Sequence, residues 1–338
     1  MRNTSPISTL QDLVARAQLL KPIRVAVVAA EQGLVLEAVR EAKSIGLIEP
    51  LLIGNPNSIM ASAEAAEIDL DGIEIVAANT DLEAARLSVD MVRKANADAV
   101  MKGDIHTDTF MHALLDQELG LRMPGQRVSH VFLVDIPTYP KLLAVTDAAI
   151  NISPDLNAKA EILRNAIGFL HLLGIETPKA AVLSAVETVN AAIPSTLDAA
   201  CLALMAKRGQ IAGATVDGPL ALDNAISIEA AREKGIVSDV AGTADILLVP
   251  DLVSGNILAK NLEYFAGATA AGIVLGLSAP VVLSSRADPP EARLAALALA
   301  VLMHRTHGVD RYPEKKITLE SSVHCAAQPE AACCPLGV

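Results

Sequence analysis

Aromatic side chains are scarce in this sequence of 338 residues, at 2% of the chain, and Trp is absent. Proteins that hold single-stranded nucleic acid stack its bases on aromatic rings, so the chain offers no such platform. Basic residues are also outnumbered by acidic ones, 27 to 39, which gives a formal net charge of −12. That charge repels a polyanion. We therefore expect no nucleic-acid partner.

Long uncharged apolar runs are missing as well. A membrane-spanning helix needs about 18 or more consecutive apolar residues, and no stretch of this sequence approaches that length. The N-terminal region, which contains Pro6 and Asp12, lacks the apolar segment of a secretory signal peptide. We therefore expect a cytoplasmic protein with no membrane partner.

Cysteine occurs four times, and its spacing fits no metal site. Cys201 falls in an apolar helical pattern and is expected in the core. Cys325, Cys333 and Cys334 lie near the C-terminus, where an adjacent pair and a lone cysteine do not supply the paired spacing of a four-ligand site. We expect no bound metal, and an irregular tail over residues 313–338.

What the sequence does contain is aliphatic, since hydrophobic residues make up 52% of the chain. Short apolar runs such as residues 23–29 alternate with segments whose apolar residues recur at helical spacing, and short polar joints connect them. This alternation predicts an α/β fold of two doubly wound, mostly parallel α/β/α domains. We predict a discontinuous first domain, formed by residues 1–128 and 278–312, and a second domain inserted at residues 129–277.

One stretch, from Ser284 to Asp288, places two hydroxyls, a guanidinium and a carboxylate between a strand and a helix. The apolar run at residues 280–283 predicts the strand, and Pro289 and Pro290 fit the first turn of the helix. Open α/β sheets bind ligands at such joints, and helix N-termini favour anions. Two interpretations remain: Ser284 and Asp288 line a site, or they only cap the helix.

Polar residues also follow other predicted strands. In a parallel sheet the carboxyl ends of the strands share one edge, so we expect these groups to converge there. Asp223 and Asn224 could instead only cap the helix that they begin, and His106 alone could be an ordinary polar residue. The polar groups occupy residues 102–107, 146–151, 216–227 and 250–260.

Several segments of the chain form recognisable motifs: KGDIHTDTFM from Lys102, SHVFLVDIP from Ser129, VDGPLALDNAIS from Val216 and SAPVVLSSRAD from Ser278. Together they resemble the phosphate acetyl/butyryl transferase family, most closely its phosphate butyryltransferase branch. The resemblance covers residues 24–303. It implies an isocitrate/isopropylmalate dehydrogenase-like fold in which the two domains flank a cleft, and self-association to a dimer or higher oligomer.

The resemblance also implies a reaction, the reversible transfer of an acyl group between coenzyme A and inorganic phosphate. Butyryl is the preferred acyl group and acetyl a possible one. Acyl-CoA and phosphate would be the partners, and coenzyme A would be a substrate rather than a permanently bound cofactor. Attack of phosphate on the thioester places negative charge on the carbonyl oxygen, which a hydroxyl or guanidinium aimed there stabilises.

Roles for individual residues follow from the same resemblance. Ser285 and Arg286 match the Ser-Arg pair that serves the oxyanion and the phosphate in the family. Asp288 is the candidate base for the coenzyme A thiol. The other matching positions are expected to bind substrate: Lys102, Gly103, His106, Thr107, Arg127, Ser129, Asp217, Gly218, Asn256 and Lys260.

The chain departs from the family pattern at three places. The acetyl branch has its acidic residue further along, where this chain has Glu291 and Ala292. His112 stands where relatives carry Arg or Lys, and a largely uncharged imidazole is a weaker phosphate ligand. Relatives also carry an acidic residue just before a Gly-Asn pair, where this chain has Val253 and Ser254. These differences bear on ligand affinity and acyl preference rather than on the fold.

Two other functions remain open. A non-catalytic acyl-CoA-binding module is one, although the presence of Ser285 and Arg286 argues against it. A metal-dependent 2-hydroxyacid dehydrogenase of the same fold is the other, and it would need clustered carboxylates for Mg²⁺ or Mn²⁺. The sequence setting of the available carboxylates resembles the acyltransferases instead; they are Asp217, Asp223, Asp245 and Asp251.

Overall fold

The computed structural model describes residues 7–307. The predicted tail at residues 313–338, with Cys325, Cys333 and Cys334, lies outside this range, as do residues 308–312 of the predicted first domain. Within the range that is described, no helix has both the length and the apolar character needed to cross a membrane.

Strands and helices alternate along the chain, as the sequence predicts. The strands of residues 7–307 are β1 (Ile23–Val28), β2 (Ile48–Gly54), β3 (Glu74–Ala77), β4 (Ala99–Lys102), β5 (Ser129–Asp135), β6 (Leu143–Thr146), β7 (Lys179–Leu183), β8 (Thr215–Leu220), β9 (Ile246–Leu248), β10 (Thr269–Leu275) and β11 (Val281–Val282). The helices are α1 (Leu10–Gln18), α2 (Gly33–Ser44), α3 (Pro56–Ala65), α4 (Asp81–Arg93), α5 (Thr107–Leu114), α6 (Leu156–Leu172), α7 (Pro194–Lys207), α8 (Leu222–Ile226), α9 (Ile228–Glu233), α10 (Leu252–Phe265) and α11 (Pro290–His307).

The described strands form one sheet in the order β3-β2-β1-β4-β11-β10-β5-β6-β9-β7-β8. β3, β2, β1, β4 and β11 are parallel to one another, and so are β6, β9, β7 and β8. Antiparallel pairings of β11 with β10, β10 with β5, and β5 with β6 join the two groups. The fold is therefore α/β with a mostly parallel sheet, as predicted.

These three reversals leave the two groups of parallel strands pointing in opposite directions. The expectation that all polar strand ends share one edge of the sheet is therefore wrong. Residues 102–107 and Ser284 follow β4 and β11 at one edge, whereas residues 146–151 and the start of α10 follow β6 and β9 at the other. An apolar run predicts a buried strand, but its sequence carries no sign of its direction.

The order of the strands also bears on the predicted domains. The chain completes β1 to β4, builds β5 to β9, and returns through β10 to place β11 beside β4. Both groups of parallel strands belong to the same continuous sheet. The division into residues 1–128 with 278–312 and residues 129–277 stays a prediction.

The core is aliphatic, as the composition predicts. Helix α11 is its clearest example, because residues 292–303 are all buried and the helix packs against α1, α2 and β10. Its sequence, rich in Ala and Leu, is apolar all round, which is typical of a helix enclosed on every side. Full burial of a Leu side chain contributes roughly 1.5–3 kcal/mol, so this helix joins the elements around it firmly.

Two local predictions are wrong. The helix that Asp223 and Asn224 are predicted to begin is interrupted at Ser227. The extended backbone of Ser227 ends α8, and its hydroxyl accepts from the Ala230 N–H at 3.2 Å to begin α9. Cys201 is exposed rather than in the core, because it lies on the outward face of α7.

Candidate active site

The loop from Ser284 to Asp288 folds into a turn that its own polar groups close. The Asp288 N–H donates to the Ser285 carbonyl at 3.2 Å, and the Asp288 carboxylate accepts from the Ser285 N–H at 2.6 Å. Asp288 is only 4% exposed. Its carboxylate thus bonds back into the loop rather than forward into the helix. The Ser284 hydroxyl is buried and has no hydrogen-bond partner among the described residues.

Arg286 extends from this turn toward the loop that follows β4. Its Nε lies 3.2 Å from Oδ1 of Asp104, and its side chain is 44% exposed. A guanidinium has five N–H donors in a planar fork, so one ion pair leaves donors for a further anion. Arg286 is therefore placed and oriented by Asp104 while it remains open to a ligand.

Lys102 ends β4 and is buried close to Arg286. Its Nζ donates to the Gly103 carbonyl at 3.3 Å. Burial, followed by repulsion from the Arg286 guanidinium, lowers the pKa of Lys102 to about 8. Two cationic groups that repel each other favour an anion that can lie between them.

Gly103 allows the Lys102 loop to lie directly on the end of β1. The Gly103 N–H donates to the Val28 carbonyl at 2.8 Å, and the Asp104 N–H donates to the Ala29 carbonyl at 2.7 Å. A Cβ at position 103 would overlap both carbonyl oxygens. Only glycine permits this approach, which holds the Lys102 side chain at the edge of the sheet.

Lys260 reaches the same place from α10. Its Nζ lies 2.6 Å from Oε2 of Glu263 and 3.8 Å from Oδ1 of Asp288. Burial lowers the pKa of Lys260, but the two carboxylates outweigh it and the net shift is upward. Burial raises the pKa of Asp288, against the opposing effects of the Ser285 N–H and Lys260. The loop and its contacts thus bring together five of the predicted residues: Lys102, Lys260, Ser285, Arg286 and Asp288.

Arg127 and Ser129 belong to a different set of contacts. They lie before and at the start of β5, near the edge where β6 ends. Arg127 pairs with Glu161 at 2.6 Å and donates to the Asn151 side chain at 3.2 Å. The buried Ser129 hydroxyl accepts from the side chain of Asn165 at 2.9 Å. The contacts of these two residues do not include the loop at Ser284–Asp288.

The remaining predicted residues are spread along three elements. The Asp217 carboxylate accepts from the Gly218 N–H at 2.8 Å within β8. Asn256 is exposed on α10, with its side-chain amide 3.4 Å from the Ala148 carbonyl. His106 and Thr107 are exposed where α5 begins, a few residues beyond Lys102.

The four carboxylates that a metal-dependent dehydrogenase could use each bind a different partner and do not form a cluster. Residues 7–307 contain no group of three or more His, Cys, Asp or Glu residues that could hold a metal ion. Each of the four carboxylates has its own partner: Asp217 the Gly218 N–H, Asp223 the Lys234 ammonium, Asp245 the Lys141 ammonium, and Asp251 the Ser254 N–H at the start of α10.

Sequence reasoning missed two residues that contact the loop, Gln32 and Arg293. Gln32 lies just before α2, and its side-chain amide donates to the Arg286 carbonyl at 3.2 Å. Arg293 lies in α11 and donates to several carbonyls of the loop. One signal could have found Arg293: it is the only charged side chain between Glu291 and His304 in an otherwise apolar helix.

Comparison with known proteins identifies the class. The profile of the family described as "Phosphate acetyl/butaryl transferase" matches residues 8–88 and 77–301. The chain belongs to this family. It is 48% identical over 295 residues to "Phosphate acetyltransferase" of Rickettsia prowazekii, covering 87% of this chain and 84% of that protein. It is 42% identical over 297 residues to "Phosphate butyryltransferase" of Clostridium acetobutylicum, covering 88% and 98%.

A solved structure gives the same result. The fold is similar to that of a branched-chain phosphotransacylase from Enterococcus faecalis V583, with a TM-score of 0.73 and 31% sequence identity. The match covers 83% of this chain and 99% of that one. The family that the sequence motifs predict is therefore confirmed.

Proposed function

We propose that this protein reversibly transfers a short acyl group between coenzyme A and inorganic phosphate, by direct attack of phosphate on the thioester. Membership of the phosphate acetyl/butyryl transferase family supports the reaction. The observation that carries it to particular residues is the approach of Arg286 to Lys102 and Asp104 at the ends of β11 and β4. Such a pair of cations suits a phosphate that must be held and aimed.

In this proposal Arg286 and Lys102 bind the phosphate, and Ser285 and Arg286 stabilise the oxyanion. A phosphate oxygen attacks the carbonyl carbon, and the carbonyl oxygen gains negative charge until the carbon–sulfur bond breaks. Acyl phosphate leaves with the new carbon–oxygen bond, and the thiolate of coenzyme A takes up a proton. Donors fixed at the developing charge accelerate such a step most, because they need no reorganisation.

Asp288 is proposed as the group that exchanges this proton. When coenzyme A attacks acyl phosphate, the Asp288 carboxylate accepts the thiol proton and passes it to the departing phosphate. When hydrogen phosphate attacks the thioester, the carboxylate takes up the proton that the phosphate loses and gives it to the departing thiolate. Burial raises the pKa of Asp288, which favours a carboxyl group able to hold a proton for part of the cycle. The hydrogen bond from the Ser285 N–H holds the Asp288 carboxylate beside Ser285, one of the two residues proposed to stabilise the oxyanion.

Butyryl preference over acetyl stays a proposal, and a small cavity beside Asp288 supports it. The cavity has a volume of about 190 Å³, and four alanines form much of the apolar part of its lining: Ala268, Ala270, Ala287 and Ala292. The rest of the lining is Glu263, Tyr264, Thr269, Asp288 and Pro289. Apolar cavities of about 150 Å³ accept a ligand as large as benzene. A four-carbon acyl chain fits that volume.

The remaining expectations are proposed on the family resemblance. Acyl-CoA and phosphate are the partners, with coenzyme A as a substrate and no permanent cofactor, and the protein is cytoplasmic and self-associates without nucleic acid or membrane. The residues proposed to line the substrate cleft, besides those with roles above, are Gly103, His106, Thr107, Arg127, Ser129, Asp217, Gly218, Asn256 and Lys260.

The test follows thiol release from butyryl-CoA and, separately, acetyl-CoA, with and without phosphate. We expect phosphate-dependent release, faster with butyryl-CoA, that falls by about 10²–10³ in Arg286→Ala, the usual loss when one donor to a developing oxyanion is removed. Arg208→Ala, at the end of α7, is the matched control and should keep full activity. Asp288→Asn should also lose activity, although its amide oxygen can still accept the Ser285 N–H.

Three outcomes would contradict parts of this proposal. Release that does not depend on phosphate would mean hydrolysis of the thioester rather than transfer. Full activity in Asp288→Asn would leave Asp288 with a purely structural part in the turn. Faster release from acetyl-CoA would overturn the butyryl preference but leave the reaction in place.

A further inference from the structure

One buried cation, Arg293, binds three backbone carbonyl groups of the loop from Ser285 to Asp288. The Arg293 guanidinium donates through Nη1 to the Asp288 carbonyl at 3.0 Å, and through Nη2 to the Ser285 carbonyl at 2.9 Å and the Arg286 carbonyl at 3.1 Å. Arg293 is 1% exposed. The backbone carbonyls of Ser285, Arg286 and Asp288 are thus all bound to one buried side chain.

A second side chain, that of Gln32 just before α2, also binds this loop. The Gln32 amide nitrogen donates to the Arg286 carbonyl at 3.2 Å, and the Gln32 amide oxygen lies 3.5 Å from Nη2 of Arg293. Gln32 precedes α2, yet its side chain makes no capping bond to that helix. Its side-chain contacts therefore serve the loop rather than the helix it precedes.

A buried arginine is energetically unfavourable at this position of α11. Burial of a guanidinium is unfavourable unless its donors are satisfied, and its Nε has no partner among the described residues. Burial also lowers the pKa of Arg293, with only the Asp288 charge opposing. The neighbouring positions of α11 are filled by Ala and Leu, so packing alone does not require a cation here.

We propose that Arg293 and Gln32 are positioning residues that hold the Ser285–Asp288 loop, and through it the Arg286 guanidinium, in the geometry for phosphate. This inference rests on the proposed function of the loop. Because the position of the Arg286 guanidinium depends on its backbone as well as on its ion pair with Asp104, loss of either support lets its donors move away from the phosphate. A misplacement of about 1 Å costs on the order of 10²-fold in rate.

Gln32→Ala is the first variant, because Gln32 is partly exposed and its loss removes no helix cap. We expect kcat/KM for phosphate to fall about tenfold or more, with KM for phosphate affected more than KM for acyl-CoA, and with Tm unchanged within about 2 °C. A residue that only supports the fold would lower Tm without this split between the two substrates.

Arg293→Ala is the second variant, and its matched control is Arg305→Ala. Arg305 lies on the same helix and also donates to carbonyls, those of Lys21 and Pro22, but far from the loop. We expect a loss of at least 10²-fold in Arg293→Ala and none in Arg305→Ala. Guanidinium chloride at non-denaturing concentration should restore part of the lost activity in Arg293→Ala, whereas sodium chloride at equal ionic strength should not.

The outcomes separate this inference from the proposed function. If the unaltered protein gives no phosphate-dependent thiol release, the proposed function itself fails. If the unaltered protein is active and Gln32→Ala keeps its kcat/KM for phosphate, the positioning role is wrong. An Arg293→Ala protein that fails to fold leaves Gln32→Ala to decide the question alone.

Discussion

The ammonium of Lys102 lies beside the Arg286 guanidinium with a pKa lowered to about 8. Phosphate binding favours the protonated amine, so the free enzyme should lose affinity for phosphate as the pH rises through about 8. We predict that kcat/KM for phosphate falls on this alkaline side, since that ratio reports the free enzyme. Lys102→Arg should remove the fall, because a guanidinium stays charged. Initial rates across this pH range measure both.

The control for this prediction is Lys94→Arg. Lys94 is exposed just after α4 and pairs with Asp90 at 2.7 Å, so the same substitution there should leave the pH profile unchanged. An alkaline fall that persists in an active Lys102→Arg enzyme would assign it to another group. The prediction that titration of Lys102 sets the alkaline limit would then be wrong.

At this scale the sequence predicts part of the site. Arg286 and Asp288 stand together in a polar break between an apolar run and a helix, and Lys102 ends another apolar run, so their position at strand ends is readable. The roles of Gln32 and Arg293 cannot be predicted in this way, because their side chains reach the loop from other elements, the start of α2 and α11. Their contacts depend on where α2 and α11 pack.

Strand β10 lies between the two groups of parallel strands, and its Gly272 contacts Leu283, the residue before the Ser284–Asp288 loop. Across Gly272, Nε2 of the buried His130 comes within 3.4 Å of the Leu283 carbonyl. A Cβ at position 272 would overlap that carbonyl oxygen and lie 2.9 Å from the His130 Nε2. The absence of a side chain on β10 thus lets β5 contact the end of β11.

Gly272→Ala is therefore expected to displace the end of β11 and the loop that follows it. Overpacking of this kind costs about 1–3 kcal/mol of unfolding free energy, and we expect an accompanying loss of activity. Thermal unfolding and thiol release measure the two effects. Gly33→Ala is the control, since its Cβ would meet only the Ala66 Cβ at 3.3 Å. Equal stability of the two variants would contradict this account of β10.

The elements themselves could largely be predicted from the sequence, but their directions could not. The apolar runs that form β5, β6 and β10 look the same as those of the parallel strands, because a buried strand is apolar on both faces in either direction. The break between α8 and α9 could have been recognised from Ser227 and Glu229, which suit the start of a helix. It is not predicted because the sequences of the two short helices together look like one continuous helix.

At the scale of the molecule, the large exposed apolar side chains of residues 7–307 are unevenly distributed, and most of them lie between residues 129 and 277. Helix α7 carries two of them on one face. Leu197 and Leu204 are 41% and 46% exposed, and Cys201 between them is exposed on the same face. A helix that is apolar all round is normally covered on every side, and apolar patches left open on a protein surface commonly mark interfaces. We infer that a second copy of this chain covers α7.

Leu204→Glu tests this at the level of the assembly. We expect the unaltered protein to have the mass of a dimer or higher oligomer in sedimentation equilibrium, and Leu204→Glu to shift it toward the single chain, because burial of an unpaired carboxylate is strongly unfavourable. Leu19→Glu is the matched control, since Leu19 is 82% exposed at the end of α1, and it should leave the mass unchanged. A single-chain mass for the unaltered protein, or an oligomer that persists in Leu204→Glu, would mean that α7 is not the interface. Such a result would not contradict the acyl transfer proposed above, because Lys102, Arg286 and Asp288 come together within a single chain.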